Sequence, residues 1–123
     1  MKLSDIVEFA KCFSNESRLK LIKLLAEREL CVCELEEVTG QTQSNISQHL
    51  RILFNADLVE KRREGQLIYY SLNKVKFEEK IKELEELISL PLERMADFKE
   101  EWLRFQNLRK NERIKKCKAC QRR

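Results

Sequence analysis

A chain of 123 residues with only two glycines has few places where its backbone can pass cheaply through the left-handed region, and here they fall at positions 40 and 65. Glycine accepts positive φ without steric cost, so each marks a point where a helix can stop or two strands can reverse. Gly40 follows a short helical pattern from about Cys33 to Thr39, and Thr42 just beyond it can cap another helix. Gly65 lies in a polar stretch between Leu58-Val59-Glu60-Lys61 and Leu67-Ile68-Tyr69-Tyr70-Ser71-Leu72. Both runs are rich in β-branched and aromatic residues and read as the strands of a hairpin. The order is helix, turn, helix, hairpin, with almost nothing between them.

Periodicity supplies the rest of the framework. Ser4 can cap a helix carrying Ile6, Val7, Ala10 and Phe13, and Ser14 a second one in which Leu19, Ile22, Leu25 and Ala26 recur at helical spacing. After Thr42, Ile46, Leu50 and Leu53 share one stripe, which turns Ser44, Ser47, Gln48 and Arg51 outward. From Lys74, the spacing of Phe77, Ile81, Leu84 and Ile88 predicts a helix of about four turns, interrupted by Pro91. Met95, Phe98, Trp102 and Phe105 continue at intervals of three and four, like a coiled-coil seam. The stripe and the seam are expected to be dimerisation surface, with ordinary packing of the aromatic residues rather than ligand binding.

Composition narrows the class. With 42% hydrophobic and 37% charged residues, the chain can build one modest core and gains by sharing its terminal helices with a second copy, so a homodimer is expected. No apolar run has the length of a signal peptide or of a membrane span, which predicts a cytoplasmic protein with no membrane partner. Five cysteines, an odd number, argue against a disulfide framework in such a compartment and for metal binding or redox chemistry. The net charge is only +4, and residues 109–123 hold eight Lys and Arg against one acid. The remaining 108 residues are therefore net −3, so affinity for a polyanion must come from local basic clusters and be salt-sensitive.

A helix reads B-DNA in the major groove through side chains near its N-terminus, and short hydrogen-bonding residues there let the backbone come close to the base edges. Gln43, Ser44, Ser47 and Gln48 meet that requirement, with Gln48 able to pair bidentately with adenine and Arg51 able to reach phosphate. In the hairpin, Lys61, Arg62 and Arg63 can lie along the backbone or enter the adjacent minor groove, with Gln66 at the tip. Any one of these features alone describes a solvated surface. Their ordered combination points to a winged helix-turn-helix, mainly α with a β-hairpin wing, that binds double-stranded operator DNA as a dimer held through terminal helices. Residues 1–90 are expected to form the DNA-binding and dimerisation domain, and 91–123 a helical extension ending in a basic, cysteine-containing tail.

At this point a resemblance becomes specific. The run Ser44 to Leu72, together with Glu29-Leu30-Cys31-Val32-Cys33-Glu34-Leu35, resembles the ArsR/SmtB family of winged-helix metal-sensing repressors. The Cys31-Val32-Cys33 box is similar to the family's thiolate inducer motif, the serine-rich helix ending in His49-Leu50 to its recognition helix, and Asn15-Glu16-Ser17-Arg18 to its early helical signature. The resemblance covers about Val7 to Ile88. It implies a dimeric repressor that holds operator DNA when unliganded and releases it when the inducing ion binds, with Gln43, Ser44, Ser47 and Gln48 in the base-reading role. Arsenic-responding members often carry a third cysteine three residues beyond the second, where this chain has Glu36. Several relatives bear a zinc site of Asp and His on the dimerisation helix, but residues 74–90 contain neither.

Cysteines at i and i+2 lie about 200° apart on a regular helix, so Cys31 and Cys33 can share one ion only if the first turn is extended or unwound. With Cys31 at or before the N-cap, drawing the sulfurs together strains the helix that packs on the reading helix, which couples the site to DNA. A soft ion needs at least a third thiolate. Cys117 and Cys120, a CxxC pair in what reads as a flexible basic tail, are the favoured candidates. Four thiolates suit zinc, cadmium or lead, and any three suit trivalent arsenic. Cys12, between Ala10 and Phe13, reads rather as a small buried residue, and His49, the one histidine, as packing or touching DNA.

The expected function is thus a repressor released by a thiophilic metal or metalloid, As(III) or Cd, Pb or Zn, with no organic cofactor. The alternative keeps the fold and replaces the ion by a reversible disulfide, Cys31 with Cys33 or Cys117 with Cys120. Enzyme chemistry is not expected: there is no glycine-rich phosphate loop, and the Cys117 CxxC lacks the strand-then-helix setting of a redox centre.

Overall fold

The computed structural model describes residues 2–121 and divides the chain into two compact units, one up to Glu86 and one from Leu87. The first unit contains α1 (Leu3–Lys11), α2 (Glu16–Glu27), β1 (Leu30–Cys31), α3 (Val32–Thr39), α4 (Gln43–Asn55), β2 (Val59–Glu64), β3 (Leu67–Leu72) and most of α5 (Lys74–Ser89). The strands make one antiparallel sheet in the order β1-β3-β2. This is the winged helix-turn-helix expected from the sequence, with α3 and α4 as the helical pair and β2-β3 as the wing.

Both glycines do what their positions predict. Gly40 ends α3 at φ 72°, its N–H donating to the Glu36 carbonyl, and Gly65 reverses the wing at φ 61°. With Glu64 opposite Leu67, the wing turn has two residues, and glycine at its first position gives the reversal that suits the twist of the strands. A third left-handed residue, Asp57 at φ 60°, ends α4, and the Leu58 N–H then donates back to the Leu53 carbonyl.

The core is built from stripes on α1 to α4. Leu21, Leu25, Leu35, Ile46, Leu50, Leu53 and Leu58 are almost wholly buried, each contributing about 1.5–3 kcal/mol of apolar transfer. Phe77 and Ile81 of α5 close the cluster, Phe77 meeting the rings of Phe9 and Phe13 edge-on at 6.1 and 6.2 Å. The Thr42 cap holds as expected, accepting from the Asn45 N–H at 3.2 Å. The other two caps differ: α1 begins at Leu3 after Lys2, and α2 is capped by Asn15, not Ser14. Asn15 accepts from the Arg18 N–H, while the Ser14 hydroxyl donates to the Lys11 carbonyl and so ends α1 instead.

In the second unit the expected seam breaks. Met95 and Phe98 lie outside any α-helix, because 3-10 turns at Leu92–Arg94 and Ala96–Phe98 precede α6 (Lys99–Gln106). Trp102 and Phe105 remain together on α6, their rings stacked at 6.3 Å. The basic stretch expected to be a flexible tail is instead α7 (Glu112–Gln121), capped by Asn111, whose side chain accepts from the Ile114 N–H at 3.1 Å. No residue described in this unit is buried. Among the described residues no helix is long and apolar enough to cross a membrane.

Candidate nucleic-acid interface and thiol site

Helix α4 buries Ile46, Leu50 and Leu53 and exposes Gln43, Ser44, Ser47, Gln48 and Arg51. The short polar side chains therefore lie together on the outer face of the helix, over its first two turns. His49 is the exception on this helix: it is half-buried, and Arg18 Nη1 lies 3.3 Å from its Nδ1. Because guanidinium only donates, Nδ1 must be the acceptor and the ring proton sits on Nε2. Burial, then the Arg18 charge, holds His49 below its usual pKa. Arg18 also donates to the Lys11 carbonyl and the Ser14 hydroxyl, both at 2.9 Å, so one side chain ties the end of α1 to α4.

In the wing, the two-residue periodicity of a strand sorts the three cations. Lys61 pairs across the ladder with Tyr70, and Arg62 with Tyr69, so the two side chains leave the ribbon on opposite faces. Lys61 lies on the α4 side, with Nζ 4.0 Å from the centre of the Phe54 ring. Arg62 is held on the other side. Its guanidinium makes contacts of 2.6–3.1 Å with both carboxylate oxygens of Glu29, a 2.9 Å contact with Glu64, and lies over the Tyr69 ring at 4.9 Å. Those hydrogen bonds hold the Glu29 carboxyl below its usual range. Arg63 donates to the Gly65 carbonyl at 3.1 Å.

The thiols occupy three environments. Cys12 is fully buried, its sulfur 3.6 Å from the Glu8 carbonyl, and burial pushes its pKa up to about 11. Cys31 is buried and extended (φ −89°, ψ 168°) at the N-cap of α3, while Cys33 is exposed in the first turn. A reciprocal box closes this helix end: Glu34 accepts from the Cys31 N–H at 3.0 Å, and the Cys31 side chain faces the backbone N–H of Glu34. The Cys31 backbone N–H is also the main reason the Glu34 carboxyl is held low. Cys117 and Cys120 are exposed, three residues apart on α7, where they share a face.

Cys31 has a second attachment that sequence reasoning missed. Leu30 and Cys31 form β1, opposite Tyr70 and Tyr69 of β3, so the residue that caps α3 is also a rung of the wing sheet. A two-residue strand carries too little pattern to be read in advance. Cys31, Val32 and Cys33 line one cleft of about 330 Å³ with Gln43, Ser47, Gln66, Leu67, Ile68 and Tyr70. The thiol pair and two base-reading candidates thus share a wall. Cys31 is buried and extended while Cys33 is exposed on the first turn, so the two sulfurs reach one ion only through a local rearrangement, and as a pair of thiols they suit a thiophilic one. Among the described residues no group of three or more His, Cys, Asp or Glu side chains is assembled for a metal.

Comparison with known proteins agrees with this geometry. The sequence profile described as "Bacterial regulatory protein, arsR family" matches residues 15–61, from the cap of α2 into β2. The cadmium resistance transcriptional regulatory protein CadC homolog of Staphylococcus aureus is 36% identical over 67% of this chain and 65% of its own length. The arsenic resistance transcriptional regulator ArsR1 of Pseudomonas putida is 35% identical over 76% of this chain and 67% of its own. Among solved structures, HlyU from Vibrio cholerae superimposes with a TM-score of 0.55 at 33% identity, covering 72% of this chain and 95% of that one. The chain spans just under two thirds of the cadmium regulator. The two curated relatives are named as regulators of transcription and not as enzymes. On the matched profile, the relatives and the shared fold, the chain belongs to the arsR family of bacterial regulatory proteins.

Proposed function

We propose that this protein is a DNA-binding transcriptional repressor that leaves its operator when a thiophilic metal or metalloid, arsenite or cadmium, lead or zinc, is taken by Cys31 and Cys33. The observation that carries this reading is the cleft shared by Cys31, Cys33, Gln43 and Ser47. Relatives named for cadmium and arsenic resistance support the class of inducer.

In the free protein, Gln43, Ser44, Ser47 and Gln48 read the major groove while Arg51, Lys61 and Arg63 hold the backbone. A bound ion would supply two or more strong bonds to thiolate sulfur. To bring both sulfurs to one point, Cys31 must leave its extended conformation or Val32 to Glu34 must unwind. Either change breaks the hydrogen bond that the Cys31 N–H donates to Glu34 and disturbs the rung with Tyr69. The head of α3 and one edge of the wing sheet then move relative to α4, and the two DNA-contacting elements lose their common register. Cys117 and Cys120 are proposed to complete the thiolate set. The working form is a homodimer through the terminal helices, a reading supported by Val7 on α1 and Val75 and Leu84 on α5, apolar yet 53%, 66% and 40% exposed.

The test is DNA release by reduced protein under anaerobic conditions, followed by fluorescence anisotropy on its own promoter. Arsenite or cadmium should release the parent protein and Cys12→Ser. Cys31→Ser and Cys33→Ser should stay bound, and Cys117→Ser should respond weakly. Normal release of the Cys31→Ser, Cys33→Ser double variant overturns the reading, and release only by an oxidant assigns the thiols to disulfide chemistry.

A further inference from the structure

Between α4 and the wing lies a second cleft, of about 220 Å³, lined by Ser47, Leu50, Arg51, Phe54, Lys61 and Tyr70. No carboxylate lines it. Arg51 and Lys61 bring two cations to it, and among the described residues neither takes part in an ion pair, in contrast to Arg62 with its two carboxylates. The Ser47 and Tyr70 hydroxyls add two donors that have no hydrogen bond within the described residues, and burial pushes the Tyr70 phenol up, so it keeps its proton to donate. Lys61 is held in place by faces of two rings, with Nζ 4.0 Å from the Phe54 centroid and 6.0 Å from that of Tyr70. This gives Phe54, 41% exposed on an otherwise polar helix face, a physical reason to be there.

Two free cations, two spare hydroxyls and no acid make a receptor for one tetrahedral oxyanion. Its position decides which one. Ser47 and Tyr70 also wall the cleft that contains Gln43, and Arg51 lies one helical turn beyond Ser47. A helix lying in the major groove runs between two sugar-phosphate backbones, and the turn after the base-reading residues is where a backbone phosphate passes. We propose that Arg51, Lys61 and Tyr70 seat one phosphodiester of the bound DNA strand, with Ser47 at the border between this seat and the base-reading face and Phe54 as the residue that positions Lys61. The inference rests on the DNA-binding reading above and names the chemistry of one contact within it. The seat joins α4 and β2 to the same phosphate, so it fixes the angle between reading helix and wing on the duplex.

The experiment measures anisotropy of the full chain on its promoter duplex and on a shuffled duplex of equal length, across a salt series. Lys61→Gln and Arg51→Gln should each weaken both duplexes by about tenfold at moderate salt and lower the slope of log K against log salt by about 1. Phe54→Leu keeps the bulk and every charge but loses the π face. It should weaken binding with the slope unchanged, and Phe54→Tyr should restore it; equal affinity of the Leu and Tyr variants overturns the positioning role. Parent protein that binds while Lys61→Gln and Arg51→Gln leave affinity and slope untouched overturns the seat alone. Parent protein that binds neither duplex at low salt overturns the DNA reading and the seat together. Inorganic phosphate shifting the Ser47 and Tyr70 amide resonances of such non-binding protein would assign the cleft to a free anion.

Discussion

Cys31 stands opposite Tyr69 in the ladder joining β1 to β3, and the same residue caps α3. One backbone unit therefore belongs to both the helical pair and the wing sheet. The residue two before it, Glu29, holds Arg62 of β2 through both carboxylate oxygens, so the segment from 29 to 31 grips the wing at two points. A distortion there reaches the wing through the backbone rung and through the ion pair, without passing through the core.

The Glu29 contact makes the first prediction. In Glu29→Gln the carboxylate charge is lost and Arg62 keeps only Glu64 as an anionic partner. The wing edge should loosen, seen as faster amide exchange at Tyr69, while the freed guanidinium strengthens DNA binding and steepens its salt dependence by up to about one unit of slope. Unchanged exchange and unchanged slope would show that the pair is passive.

Backbone conformation alone sets the second. A Cβ at Gly40 would meet nothing within 4 Å, so the cost of Gly40→Ala is purely that of φ 72° for an L-residue, about 1–2 kcal/mol. Asp57→Gly has the opposite sign, because a non-glycine residue already sits at φ 60° there and relief should stabilise by up to about 1 kcal/mol. Urea unfolding of the two variants checks both directions.

Burial orders the thiols. With Cys12 and Cys31 buried and Cys33, Cys117 and Cys120 exposed, a water-soluble disulfide reagent should modify three thiols quickly in the native protein and the other two only on unfolding. Cys12 is protected further by its raised pKa, since the thiol form reacts poorly. Fast modification of Cys12, located by peptide mass, would contradict this environment.

His49 gives stability a dependence on pH. Its folded pKa lies below the ordinary 6.5, so the unfolded chain takes the proton more readily. The contribution is fully present above pH 6.5 and is lost as pH falls through the folded value, where a second cation is forced against Arg18. Glu29 and Glu34, whose carboxyls are held low, lose their own contributions only at more acidic pH. The difference in urea midpoint between parent and His49→Gln should therefore change between pH 7.5 and 5.5. A constant difference would place His49 outside the titration.

What the sequence determined by itself were the features that depend on local physics. Gly40 and Gly65 mark the two turns because positive φ is a property of single residues, and the Ile46, Leu50 and Leu53 stripe follows from helical periodicity alone. The exposed polar face of α4 was legible for the same reason. The tertiary structure decided what depends on contacts between distant segments. Strand β1 is too short to carry a pattern and exists because β3 offers it a free edge. Lys61, Arg62 and Arg63 look equivalent in the sequence, and pairing with Tyr70 and Tyr69 sends Lys61 to α4 and Arg62 to Glu29. Met95 and Phe98 fit a heptad, but after Pro91 Met95 is extended between two 3-10 turns and Phe98 ends the second, since spacing records which residues could share a face and not whether the backbone between them is helical.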